Sequence, residues 1–137
     1  MKKVLGIILF TVFMFLFTGC QMTVETATGI GEITFEIYET DGVRLETKTV
    51  EYADGDTLLG LLRDNFIVVC EGSDGESDET CSYTGPYGIY LLAIDSVSVV
   101  GQSAYLAFYI DGDYAMTGVD ATPIVDGTIY AFKYETF

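Results

Sequence analysis

The sequence predicts an α+β domain, a mixed sheet with one short helix packed on one face. Three observations support this class. Residues 54–65 space their leucines as a helix does. The segments on either side alternate or run apolar over short lengths, as strands do, and Asp-Gly and Gly-Pro pairs separate them. The chain has 137 residues, enough for one domain with a modest core.

The elements follow in order. Residues 32–38 alternate, with Ile33, Phe35 and Ile37 on one side and Thr34, Glu36 and Tyr38 on the other. Thr40-Asp41-Gly42 is a hairpin signal, and 45–52 forms a second strand rich in Thr and Val. The helix comes next. Asp54-Gly55 makes a turn, and Asp56 or Thr57 offers a cap for the first free N–H groups. Leu58, Leu61 and Leu62 share one face, Leu59 sits at its edge, and Arg63 suits the negative end of the helix dipole. Gly60 costs about 1 kcal/mol relative to Ala, so packing must hold this helix. Residues 66–70 are a continuous apolar run, expected as a buried strand, and 71–83 are a polar loop. After Gly85-Pro86, residues 87–94 read as strand, then 104–110, then 128–134 behind Asp126-Gly127. A hairpin followed by a helix that returns to the sheet is the opening of a β-grasp-like arrangement.

The N-terminus has its own logic. Met1-Lys2-Lys3 is a charged start, 4–17 is apolar, and Thr18-Gly19-Cys20 ends the run. This looks like a bacterial lipoprotein signal peptide over 1–19, with Cys20 lipidated after cleavage. The usual pattern has Leu three places before the Cys; here Phe17 holds that place, with Leu16 one further out. The alternative, an uncleaved spanning helix, wants about 20 apolar residues, and this run is shorter. Two acyl chains suffice for stable anchoring. Residues 20–31 read as lipidated Cys and tether, and 32–137 as the domain. The expected location is the extracytoplasmic face of a bacterial membrane.

From Cys20 onward four basic residues stand against 21 acids, 4 − 21 = −17. Such a charge repels nucleic acid and anionic headgroups. There is no His, so the usual proton shuttle and commonest zinc ligand are absent. With Cys20 lipidated, Cys70 and Cys81 remain as a pair, and an exported chain favours a disulfide between them over two free thiols.

Several pieces together resemble a known family, the transcobalamin-like C-terminal domain of bacterial surface lipoproteins and animal cobalamin carriers. They are Asp54-Gly55-Asp56-Thr57-Leu58-Leu59, Gly88-Ile89-Tyr90 with Ile94 and Asp95, residues 105–112, Gly118-Val119, and Asp126-Gly127. Their spacing covers most of 32–134. The resemblance implies a β-grasp-like domain with a face that, in the carriers, helps cover a corrinoid. This chain has Leu106 where the family often has Trp, and it lacks the large helical domain that holds most of the ligand in the animal carriers.

Three candidate sites stand out. All ten tyrosines lie after Cys20. Tyr105 and Tyr109 share a strand face, and Tyr130, Phe132 and Tyr134 share another on the last strand, which suggests a surface platform. Aromatic rings with polar tips suit flat or sugar-like ligands and partner proteins. The expected members are Tyr90, Tyr105 and Tyr109, with Asp111 and Tyr114 at the rim. Second, Glu71, Asp74, Glu76, Asp78 and Glu79 crowd one loop, but their spacing departs from a calcium loop, and a solvated turn is the plainer reading. Third, no catalytic or metal motif is present, so no enzyme activity and no cofactor are expected. The function expected is a lipid-anchored small-ligand module for cofactor or nutrient capture. The alternative is a structural or adhesive surface domain that contacts another protein.

Overall fold

The computed structural model describes residues 29–137. The signal peptide over 1–19, the lipidated Cys20 and most of the tether lie outside the described residues. The end of the tether is already structured: Ile30 N–H donates to the Tyr52 carbonyl at 2.8 Å, and strand β1 begins at Gly31.

Strand β1 (Gly31–Tyr38) and β2 (Arg44–Tyr52) form the expected hairpin. Ile33, Phe35 and Ile37 are buried, as the alternation requires. Helix α1 runs Leu58–Asn65. Of its two candidate caps, Thr57 takes the role and accepts from Gly60 N–H at 3.1 Å. Asp56 instead braces the preceding turn, accepting from Ala53 N–H at 2.8 Å. Leu58, Leu61 and Leu62 are buried. At the other end Lys48 of β2 donates to the Asn65 carbonyl and lies over the Phe66 ring.

The remaining strands are β3 (Val68–Glu71), β4 (Ser77–Asp78), β5 (Leu91–Ile94), β6 (Val97–Ser98), β7 (Ala104–Ile110), β8 (Asp113–Tyr114) and β9 (Ile129–Thr136), with a 3-10 turn at Val119–Ala121. One five-stranded sheet has the order β2-β1-β9-β7-β8. Its first and last strands, β1 and β9, pair in parallel, and the other pairs are antiparallel. The fold is the α+β, β-grasp-like arrangement the sequence predicts. The described strands divide into two sheets, however, because the middle of the chain pairs with itself as β4-β3-β5-β6.

Two strands are shorter than their apolar runs. Phe66 N–H still closes the helix on the Leu62 carbonyl, and Ile67 is exposed, so β3 starts only at Val68. Gly85 and Gly88 exchange backbone hydrogen bonds in a tight turn, which postpones β5 to Leu91. The polar loop after β3 holds the small hairpin strand β4.

Phe35 is at the centre of the core. Its ring meets Phe66 edge-on at 5.8 Å and lies 6.3 and 6.4 Å from Tyr130 and Phe132. Phe108 stacks on Phe132 at 5.0 Å. Tyr130 and Phe132 are therefore core residues and not part of a surface platform. Tyr130 is buried because its hydroxyl is satisfied inside, donating to the Pro123 carbonyl and accepting from Val125 N–H.

Cys70 and Cys81 form the disulfide, with Cα atoms 5.1 Å apart and both residues buried. It closes the acidic loop on β3. By the loop-entropy estimate it contributes about 3 kcal/mol. The double variant Cys70→Ser/Cys81→Ser should therefore lower the unfolding free energy by that amount, read from denaturant unfolding as a lower midpoint. A loss under about 1 kcal/mol would show that the loop is held without it.

Candidate functional site: a tyrosine-lined cleft

The cleft follows from an incomplete sheet edge. Strand β9 pairs with β7 along its whole length, whereas β8 covers only Tyr109 and Ile110 on the other side. The first half of β7 is left beside two loops, 87–90 before β5 and 115–119 after β8. A cleft of about 380 Å³ opens there. Tyr90 and Ile89 line one wall, Tyr114 and Met116 another, and Tyr105, Phe108 and Phe132 the base and edge. Tyr87 and Met116 are each 93% exposed at its mouth.

Two glycines set how closely the loops approach. A β-carbon on Gly88 would stand 2.8 Å from Asp120 Oδ1 and 3.1 Å from the Gly118 Cα. Gly88 also holds φ +104°, which favours glycine. Asp120 Oδ1 accepts from Ile89 N–H at 2.9 Å and locks the loops together.

Of the five predicted residues, the fold brings Tyr90, Tyr105 and Tyr114 to this cleft. Tyr109 and Asp111 do not line it. Tyr109 shares a strand face with Tyr105 and meets the Tyr114 ring edge-on at 5.5 Å, and its hydroxyl donates to Glu135 Oε1 at 2.5 Å. Lys133 lies over its ring at 4.4 Å and over Tyr38 at 5.0 Å. Tyr105 reaches the same carboxylate, donating to Glu135 Oε2 at 3.0 Å. Asp111 is a strand clasp rather than a rim residue. Its N–H donates to the Ile129 carbonyl and its carboxylate accepts from Ile129 N–H, both at 2.8 Å.

Sequence reasoning passed over Tyr87, Met116 and a second, smaller cleft of about 260 Å³ beside the first. Tyr87 and Tyr90 line both, and Tyr83, Pro86 and Glu71 complete the second. Tyr87 follows Gly85-Pro86 and reads as the start of a strand; the Gly85–Gly88 turn keeps it in a loop instead, with its ring exposed.

Burial raises the Tyr90 phenol, helped by the nearby Glu71 carboxylate. The hydrogen bond to Glu135 raises Tyr105, and the same carboxylate pushes Tyr109 up to about 12. In the acidic loop, hydrogen bonds from Thr80 and Ser82 hold Asp78 far below the usual carboxylate range. Both Asp78 oxygens are occupied by the backbone N–H and hydroxyl groups of those residues. Among the described residues no group of three or more His, Cys, Asp or Glu is placed to hold a metal ion.

No protein-family model matches the chain, and no curated protein does. Solved structures do share its fold. One is a protein from Ruminococcus gnavus ATCC 29149 described as a "putative metal binding protein". It superposes with a TM-score of 0.59 over 78% of this chain and 98% of its own, at 16% sequence identity. That likeness is one of fold alone.

The Tyr109–Glu135 pair gives a pH prediction. The folded pKa lies above the unfolded value near 10. The associated stability is therefore fully present below pH 10 and lost as pH rises through about 12. Tyr109→Phe should flatten stability over that window and remove one late-titrating phenolate from the ultraviolet absorbance curve. An unchanged absorbance curve would overturn the assignment.

Proposed function

We propose that this chain is a lipid-anchored extracytoplasmic lipoprotein whose domain, residues 32–137, captures a small amphipathic or flat ligand in the tyrosine-lined cleft. The observation that carries the reading is the cleft itself. Tyr90, Tyr105 and Tyr114, selected for their chemistry, surround one space of about 380 Å³, within the range of small-molecule sites. The arrangement suits a ligand with an apolar body and polar groups on its rim. The anchoring half rests on the charged start, the apolar run and Cys20. The resemblance to the transcobalamin-like domain supports capture of a cofactor or nutrient, and a corrinoid belongs among the ligands tested. No catalytic role is proposed. The metal binding attributed to the Ruminococcus gnavus protein has no counterpart in an acid cluster among the described residues of this chain.

A second reading, adhesion to another protein, is favoured by one observation. Tyr87 and Met116 stand almost wholly in solvent at the mouth of the cleft, as anchors of a protein interface do.

Thermal shift of the full chain against corrinoids, sugars, peptides and small amphipathic molecules separates the two. A ligand at 100-fold its Kd adds about 2.7 kcal/mol. The expected result is a hit among small molecules that Tyr90→Ala abolishes. Silence across the small-molecule panel moves the assignment to a protein partner. Anchoring has its own test: cells given a labelled fatty acid should label the wild type and not Cys20→Ala. An unlabelled wild type overturns the anchor.

A further inference from the structure

The second cleft differs from the first in kind. Glycines form much of its wall, at Gly72, Gly75, Gly85 and Gly88. Three tyrosines, Tyr83, Tyr87 and Tyr90, face it, and Glu71 is the one charged residue lining either cleft. Glu71 is held against Tyr90 by the backbone: its N–H donates to the Tyr90 carbonyl at 2.9 Å. Its carboxylate extends over the turn that follows, where Oε1 would lie 4.0 Å from a β-carbon on Gly75.

Glu71 has no counter-ion among the described residues. Among the described residues the one salt bridge joins Arg44 to Glu36 on the first hairpin. The other cations among the described residues make contacts elsewhere: Lys48 at the helix end, Arg63 with the Glu79 carbonyl, and Lys133 over Tyr38 and Tyr109. A carboxylate among aromatic faces, with no cation of its own, is the chemistry that receives an organic cation. The ring faces attract it through their quadrupoles and the carboxylate through its charge. The chain's net charge of −15 draws the same sign of ligand.

We propose that the ligand of this domain is an organic cation, its apolar body in the larger cleft and its ammonium or quaternary ammonium head in the smaller one, between Glu71 and the Tyr83, Tyr87 and Tyr90 rings. This rests on the small-ligand reading above and adds the ligand's charge and orientation. The two clefts share Tyr87 and Tyr90, so one molecule can reach both.

The test is calorimetric titration of the full chain with four probes of one shape: benzyltrimethylammonium, benzylamine, benzyl alcohol and benzoate. Salt at about 0.15 M screens the general surface charge. At least one cationic probe should bind about tenfold tighter than the alcohol, and benzoate weakest of all. Glu71→Gln, which keeps the shape of the side chain, should erase that preference and leave the alcohol unaffected. Tyr87→Ala removes an exposed ring outside the core and should weaken the cations several-fold. Preference for benzyltrimethylammonium over benzylamine marks an aromatic cage, and the reverse marks a hydrogen-bonded ammonium; either supports the proposal. Equal binding of cation and alcohol overturns it while the small-ligand reading stands. A cation preference that survives Glu71→Gln also overturns it, because the attraction is then diffuse. Binding of none of the four overturns it and counts against the small-ligand reading as well.

Discussion

The parallel pairing of the first and last strands around Phe35 is the constraint on which the rest of the fold depends. Phe35 is fully buried and sits opposite Tyr130 of β9. Burying a side chain of this size contributes about 1.5–3 kcal/mol. That gain is realised only when chain regions some ninety residues apart in sequence meet. A parallel pair cannot close through a tight turn, so a long crossover joins β1 to β9, and it adds β2, β7 and β8 to the same sheet. The helix, the second sheet and both loops of the cleft belong to that crossover. Phe66, at the end of the helix, ties the crossover back to Phe35.

The acidic composition has a structural use inside this frame. Eight aspartates, Asp41, Asp56, Asp74, Asp78, Asp95, Asp111, Asp120 and Asp126, accept hydrogen bonds from backbone N–H groups. Three of them repeat one device. Asp95 clasps Ile67, Asp111 clasps Ile129, and the Asp126-Gly127 pair clasps Glu32, each through one carboxylate bond and one backbone bond. Asp95 and Asp111 hold positive φ, which Asp tolerates better than most residues. These clasps satisfy N–H groups at the strand ends, where the ladder stops. Glu71 is not one of these clasps; it lines the smaller tyrosine cleft.

The cleft shows how a rigid frame positions aromatic side chains. Gly88-Ile89-Tyr90 and Gly118-Val119 are separate motifs in the sequence, and the fold brings them into backbone contact through Asp120. Tyr87 and Tyr90 are then fixed on either side of that turn. For the ligand proposed above, loops pinned at this spacing would lower the ordering cost of binding. Tyr105 at the cleft edge, with Tyr38 and Tyr109 further along the sheet, also donates to a carboxylate, and Lys133 covers the Tyr38 and Tyr109 rings.

The sequence by itself determined whatever short-range physics controls. The alternation at Ile33, Phe35 and Ile37 set which side of β1 is buried. Thr57 and the leucines set the helix and its inner face, and the close spacing of Cys70 and Cys81 favoured their disulfide. Tertiary structure alone decided which faces are covered. A period of two separates a strand into two faces but does not say what lies over either. Tyr130 and Tyr109 come from equally aromatic strands, yet the first is buried beneath the crossover and the second pairs with Glu135 on the outer face. Asp111 reads as a rim acid in the sequence and becomes a clasp only once β9 lies beside it. The division into two sheets and the cleft shared by Tyr87 and Tyr90 depend on contacts between distant segments, where the chain's local pattern carries no instruction.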